Sequence, residues 1–223
     1  MATASLNDLP ANGAPDFDEA FRRQLDNLIV WRRDVRRFRS DPLPPETVER
    51  LLATACLAPS VGLSEPWRFV LVENPALRRS VRDNFLRSNA AAATDYKDER
   101  AARYARLKLA GLDEAPVHLA VFADRSTLQG YGLGRRTMPE AADYSVVTAI
   151  HTLWLTARAE GIGMGWVSIL DPAPLGALLD VPAHWRFIGY FCLGIPAEAD
   201  DVPSLERQGW DARRPPAEML LRR

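Results

Sequence analysis

The chain has 223 residues, of which 47% are apolar and 26% charged, with a formal net charge of −1. That supplies core material for one large or two small domains, and the near-neutral balance argues against a general polyanion binder. Cys56 and Cys192 form no CxxC pair, and His118, His151 and His184 are far apart, so two buried reduced thiols and no metal are expected.

Residues 1–15, rich in Ala, Asn, Pro and Asp, read as a flexible tail. They lack the basic and apolar regions of a secretory signal, which leaves the cytoplasm as the default location. A single domain over 16–223 is expected after this tail. Phe21, Leu25, Leu28 and Ile29 recur at helical spacing between Phe17 and Trp31. Next come five arginines in eight residues, Arg32, Arg33, Arg36, Arg37 and Arg39, with Asp34 among them. Such a run is either a solvated basic loop or a phosphate clamp, since guanidinium forks match phosphate oxygens in pairs. Asp34 then has the plain role of pairing with a neighbouring arginine.

After a proline-rich turn, Thr47–Ala58 is predicted as an amphipathic helix with Val48, Leu51, Leu52 and Ala55 inward. The loop APSVGLSEPW (58–67) is fixed by two prolines and suits binding groups. RFVLVE (68–73) is predicted as a buried strand and Pro75–Phe85 as a helix. Residues 88–108 are Ala-rich and highly charged, which suits a solvated helix or a mobile cover over a pocket. APVHLAVFAD (115–124) is a second strand, and 125–136 a glycine-containing loop.

Between Asp143 and Arg158 no residue is charged apart from His151. Val146, Ile150, Leu153, Trp154 and Ala157 fall at helical spacing, while Val147, Ala149 and Leu155 make the opposite face apolar too. That pattern predicts a central helix buried on most sides. At roughly 21 Å the uncharged span is too short for a bilayer of about 30 Å. Ile162–Leu170 is predicted as an interior strand in which Gly163 and Gly165 admit another backbone or a flat ligand. Pro172–Asp180 reads as a short helix and Trp185–Ile195 as a strand. From Pro196 onward an irregular arm is expected to lie along a surface, its own or that of a partner subunit. The whole is a mixed α/β (α+β) arrangement. Gly161-Ile162-Gly163-Met164-Gly165 opens no helix, so it is no dinucleotide fingerprint, and neither a phosphate loop nor a nucleophile elbow is present.

RRDVRRF (32–38), APSVGLSEPWRFVLVE (58–73) and ARAEGIGMGWVSILDP (157–172) together resemble the nitroreductase-like flavoproteins, in that family's order, over most of 17–215. The resemblance implies a mostly antiparallel central sheet flanked by helices and a homodimer with an extended C-terminal arm. It is nearest to the branch that destroys reduced FMN with dioxygen to make 5,6-dimethylbenzimidazole. Asp34 where serine is usual, Ser168 in GWVSIL, and TMPEAADYS (137–145) carry that likeness. It departs from the family at Glu65, where glutamine is frequent.

The resemblance also implies roles for particular residues. FMNH2 would be consumed as substrate, with O2 as co-substrate and a separate flavin reductase as supplier. Asp34 and Ser168 would be catalytic, the first as a base near the ribityl or ring atoms, the second as a hydrogen-bond partner at N5 or the peroxide. Arg32, Arg33, Arg36 and Arg213 would fix the phosphate, with Ser60 at the ribityl or ring edge. Val35, Val167 and Lys108 complete the binding set, and 88–108 would be the lid. The rival on the same fold is an NAD(P)H-dependent nitro- or flavin reductase that recycles FMN. A flavin carrier or sensor without chemistry and a nucleic-acid module are further alternatives.

Overall fold

The computed structural model describes residues 15–223, so the expected tail lies, apart from Pro15, outside the described residues. The strands are β1 (Trp67–Leu71), β2 (Val117–Asp124), β3 (Gly163–Val167) and β4 (Trp185–Gly194). They form one sheet in the order β1-β2-β4-β3, with every neighbouring pair antiparallel. Alternation along the strands sorts side chains onto two faces. Leu119, Val121, Phe191 and Leu193 face one core; Ala120, Phe122, Tyr190 and Cys192 face the other. Both faces are covered, which is why β2 and β4 read as continuous apolar runs.

The first core is closed by α2 (Pro45–Ala55) and α5 (Ala141–Ala159). Pro45 opens α2, where a missing N–H is harmless, and Val48, Leu51 and Ala55 are buried. Gly161, at φ +75, turns the chain out of α5. The second core is closed by α3 (Pro75–Ala93), α6 (Leu175–Leu178) and Phe38. The side chain of Asn74 caps α3, accepting from the Ala76 N–H at 2.8 Å.

Several expectations need correction. The helix expected to stop at Phe85 runs on to Ala93, because the alanines beyond it are good helix formers. Residues 98–104 form a separate helix, α4 (Asp98–Tyr104). The helix expected over 172–180 is a single turn. The central helix is not buried on most sides, since Tyr144, Val147, Thr148 and His151 are exposed on one face. The strand expected inside the sheet, β3, lies at its edge. Apolarity reports cover on both faces, not place in the strand order. That edge is nevertheless taken up: Asp34 bridges Met164 in parallel, and the Val35 N–H donates to the Met164 carbonyl at 3.0 Å. Nor is the C-terminal arm wholly irregular. It contains α7 (Ser204–Arg207) and returns to pack Trp210 on Tyr96 and Tyr104 of the same chain.

α1 (Glu19–Trp31) is capped by Asp18, whose carboxylate accepts from the Phe21 N–H at 2.7 Å. It has no buried residue.

Candidate functional site

The site begins with two glycines. A Cβ on Gly165 would overlap the Val35 carbonyl oxygen, and one on Gly163 would lie 2.8 Å from Val35 Cγ2. Bare backbone in β3 thus lets residues 33–36 lie against it as a strap. The strap fixes Asp34. Its Oδ1 accepts from the Trp166 N–H at 2.8 Å, and its Oδ2 from Arg36 Nε at 2.9 Å. Arg36 Nη2 is 2.8 Å from the same Oδ2. The plain pairing role foreseen for Asp34 is therefore present, with the carboxylate still part-exposed towards two adjoining cavities.

The larger cavity is about 210 Å³ and is lined by Arg33, Asp34, Val35, Arg36, Arg37 and Lys108, with Glu198, Asp200, Ser204, Arg207 and Gln208 opposite. The smaller, about 140 Å³, is lined by Arg32, Arg33, Asp34, Arg36, Ser204, Leu205 and Arg213. Arg33, Asp34, Arg36 and Ser204 line both. The structure thus gathers Arg32, Arg33, Asp34, Val35, Arg36, Lys108 and Arg213 from the sequence-predicted set.

The arginines are held in different ways. Arg32 lies over the Trp154 ring, 5.0 Å from its centroid. The Trp154 indole N–H donates to the Arg33 carbonyl at 3.1 Å. Arg33 donates to the Asp201 carbonyl, while its Nε is buried without a partner. Burial lowers the pKa of both Arg32 and Arg33, and the charge of Arg213 lowers both further. Asp34 opposes this at Arg32, and Asp200 and Asp201 oppose it at Arg33. Three mutually repelling guanidiniums and an orphaned buried N–H form a place that an anion would relieve. Lys108 Nζ is 2.7 Å from Glu114 Oε1, and the Lys108 carbonyl accepts from Arg36 Nη1 at 3.4 Å.

Ser60, Val167 and Ser168 are not on the linings of these two cavities. Ser168 is exposed just past β3, and Val167 is buried beneath it. Ser60 Oγ accepts from the Glu65 N–H at 3.1 Å, and its loop is pinned to α5. Ser145 Oγ accepts from the Val61 N–H at 3.0 Å, and Thr148 donates to the Pro59 carbonyl at 2.9 Å. Glu65, at φ +40, accepts from Gln129 Nε2 at 2.9 Å. Sequence reasoning missed Arg37, Ser204, Arg207 and Gln208 as lining residues. Arg37 sat in the quoted motif; the arm residues carry no local signal, because only the return of the chain brings them here.

Of the thiols, Cys192 is buried and pushed up to about 12 by burial, whereas Cys56 is only half-buried. Among the described residues no helix is long and apolar enough to cross a membrane.

Known proteins share this architecture. A 5,6-dimethylbenzimidazole synthase of Rhodospirillum rubrum is 60% identical over 201 residues, covering 90% of this chain and 95% of that one. A protein of the same name from Rhodobacter capsulatus is 47% identical over 200 residues, covering 90% and 97%. Among solved structures, an oxidised iodotyrosine deiodinase bound to FMN and 3-iodo-L-tyrosine superposes with a TM-score of 0.66 at 25% identity, over 79% of this chain and 91% of that one. The profile of the nitroreductase family matches residues 29–195, from the end of α1 to the end of the sheet. By this match and by both close relatives, the chain belongs to the nitroreductase family.

Proposed function

We propose that the chain fragments reduced FMN with dioxygen, giving 5,6-dimethylbenzimidazole, the lower ligand of vitamin B12, together with erythrose 4-phosphate and the pyrimidine remainder of the ring. The observation that carries this is the 60% identity, over nine-tenths of the chain, to a 5,6-dimethylbenzimidazole synthase. The arginine-fringed carboxylate supports it from the side of chemistry. Arg32, Arg33 and Arg213 suit a phosphate, for which guanidinium forks are the matching donors. Bound reduced flavin supplies the electrons for dioxygen; the chain supplies binding, orientation and proton handling. In this reading Arg36 holds Asp34 in place, and Asp34 takes a proton near ribityl C1′. Ser168 hydrogen-bonds at flavin N5, Ser60 meets the ribityl or ring edge, and Val35 and Val167 supply apolar surface. Lys108 and the 88–108 segment restrict water at the mouth.

A second copy of the chain completes the pocket, and a separate flavin reductase delivers FMNH2. The glycine triplet of residues 161–165 runs into β3 and opens no helix, unlike a dinucleotide loop. Cytoplasmic residence belongs to the same reading, in keeping with two free thiols.

The test is anaerobic loading with reduced FMN, admission of air, and chromatography. Dimethylbenzimidazole should appear in proportion to protein. Return of intact FMN, or rapid bleaching of bound FMN by NADPH, would replace this function with a carrier or a recycling reductase.

A further inference from the structure

The charged segment expected to be a cover contributes Lys108 to the lining of the larger cavity, whereas the facing wall is built from the C-terminal arm. The two are joined by an aromatic cluster. Trp210 of the arm meets Tyr96 edge-on at 5.2 Å between centroids and Tyr104 at 6.1 Å. Tyr96 and Tyr104 stack on one another at 4.8 Å. The Arg100 guanidinium lies 4.6 Å from the Trp210 ring centroid, and Arg103 Nη1 donates to the Gly209 carbonyl at 2.8 Å. Tyr104 is buried and its hydroxyl donates to Asn89 Oδ1 at 2.7 Å, which anchors the cluster to α3. On the other side, the Trp210 N–H donates to the Leu205 carbonyl at 2.9 Å. Trp210 is therefore one hydrogen-bonded turn from α7, whose residues form the wall.

We propose that Trp210 is a positioning residue that latches the arm to α4, so that the arm is the gate over the Asp34 cavities and α4 its backing. Trp210 lines neither cavity; it acts by holding Ser204 to Gln208 in place. Separating the arm from residues 96–104 breaks two aromatic contacts, one cation–π contact and one hydrogen bond together, so the two segments open as one unit. Arg207, paired with Asp200 at 3.0 Å, is carried on the same gate. The inference takes its ligand, FMN, from the proposed function; the latch itself does not need that function.

Hydrogen exchange of the full-length protein reads the latch directly. Trp210→Ala should speed exchange in 204–208 and in 98–104 alike, and Tyr96→Ala should loosen 204–208 from the opposite side. Trp210→Phe, which keeps the aromatic contacts, should restore most of the protection. With oxidised FMN as the probe, Trp210→Ala should raise the dissociation rate about tenfold while changing the association rate much less. If 98–104 keeps its wild-type exchange in Trp210→Ala, or 204–208 keeps its own in Tyr96→Ala, arm and helix are uncoupled and the latch is overturned. An FMN dissociation rate unchanged in Trp210→Ala overturns the gate. Failure of the wild-type protein to bind FMN at all would count against the proposed function, while the reciprocal exchange pattern would still decide the latch.

Discussion

At the scale of single residues, Asp34 is held from two directions, by the Trp166 N–H and by Arg36. An asparagine can keep the first bond through its oxygen, but its amide nitrogen cannot accept from the guanidinium. Asp34→Asn should therefore leave FMN bound and lower dimethylbenzimidazole formation by about a hundredfold or more, the range of a lost general base. Single-turnover product analysis beside a binding titration separates the two effects, and wild-type turnover in the variant would remove Asp34 from the chemistry. The identity of this residue and its arginine neighbours was legible in the sequence, because an acid inside a basic run is conspicuous. Which guanidinium it pairs with was not legible. Arg33 is nearer in the chain, yet it turns to the Asp201 carbonyl, a contact set only by the return of the arm.

At the scale of elements, the strap over β3 is the joint between fold and site. Gly165 was legible as a point of close approach, though not what approaches. A side chain there meets the Val35 backbone carbonyl, which cannot swing aside as a flexible side chain could. Gly165→Ala should cost about 2 kcal/mol or more, by analogy with overpacked cores, and should weaken FMN binding by shifting Asp34. Urea denaturation with an unchanged m-value measures the first effect; a loss below about 0.5 kcal/mol, the level of an ordinary surface change, would mean that the strap yields freely. β2 carries a second prediction. His118 is buried, 3.0 Å from the Tyr190 hydroxyl, and burial followed by the Arg78 charge lowers its pKa from 6.5 to about 4. Between those values the unfolded chain binds a proton that the folded chain refuses. Stability contributed by the neutral ring is thus present above about 6.5 and is lost as the pH falls towards 4, by on the order of 3 kcal/mol. His118→Gln should flatten that part of the stability profile, and an equal slope in both proteins would assign the acid sensitivity elsewhere. The sequence placed His118 in a strand but could not show that a buried tyrosine, diagonal to it on β4, meets its ring.

At the scale of the whole molecule, the helices were legible by period and the strands by apolarity, whereas exposed apolar faces were not. Period cannot say whether an apolar stripe meets its own chain or another. In α1, Phe21, Leu25 and Ile29 recur at i, i+4 and i+8 and all remain exposed. On α5, Tyr144 and Val147 are exposed as well. Exposed apolar stripes of this kind suit a self-complementary interface. α1 also has a mechanical reason to be covered. It leads directly into the arginine strap, has no buried residue of its own, and is tied to α5 partly by Arg158, 5.8 Å from the Trp31 ring centroid. Covering it would restrain the segment that positions Arg32 and Arg33. The homodimer of the proposed function therefore predicts a solution mass of two chains, and Leu25→Glu combined with Ile29→Glu should yield monomers. Those monomers should bind FMN more weakly even though neither substitution touches the cavities. Light scattering at micromolar concentration reads the mass, and FMN titration reads the consequence. A wild-type protein of one-chain mass that binds FMN tightly would show instead that α1 needs no second copy to hold the strap.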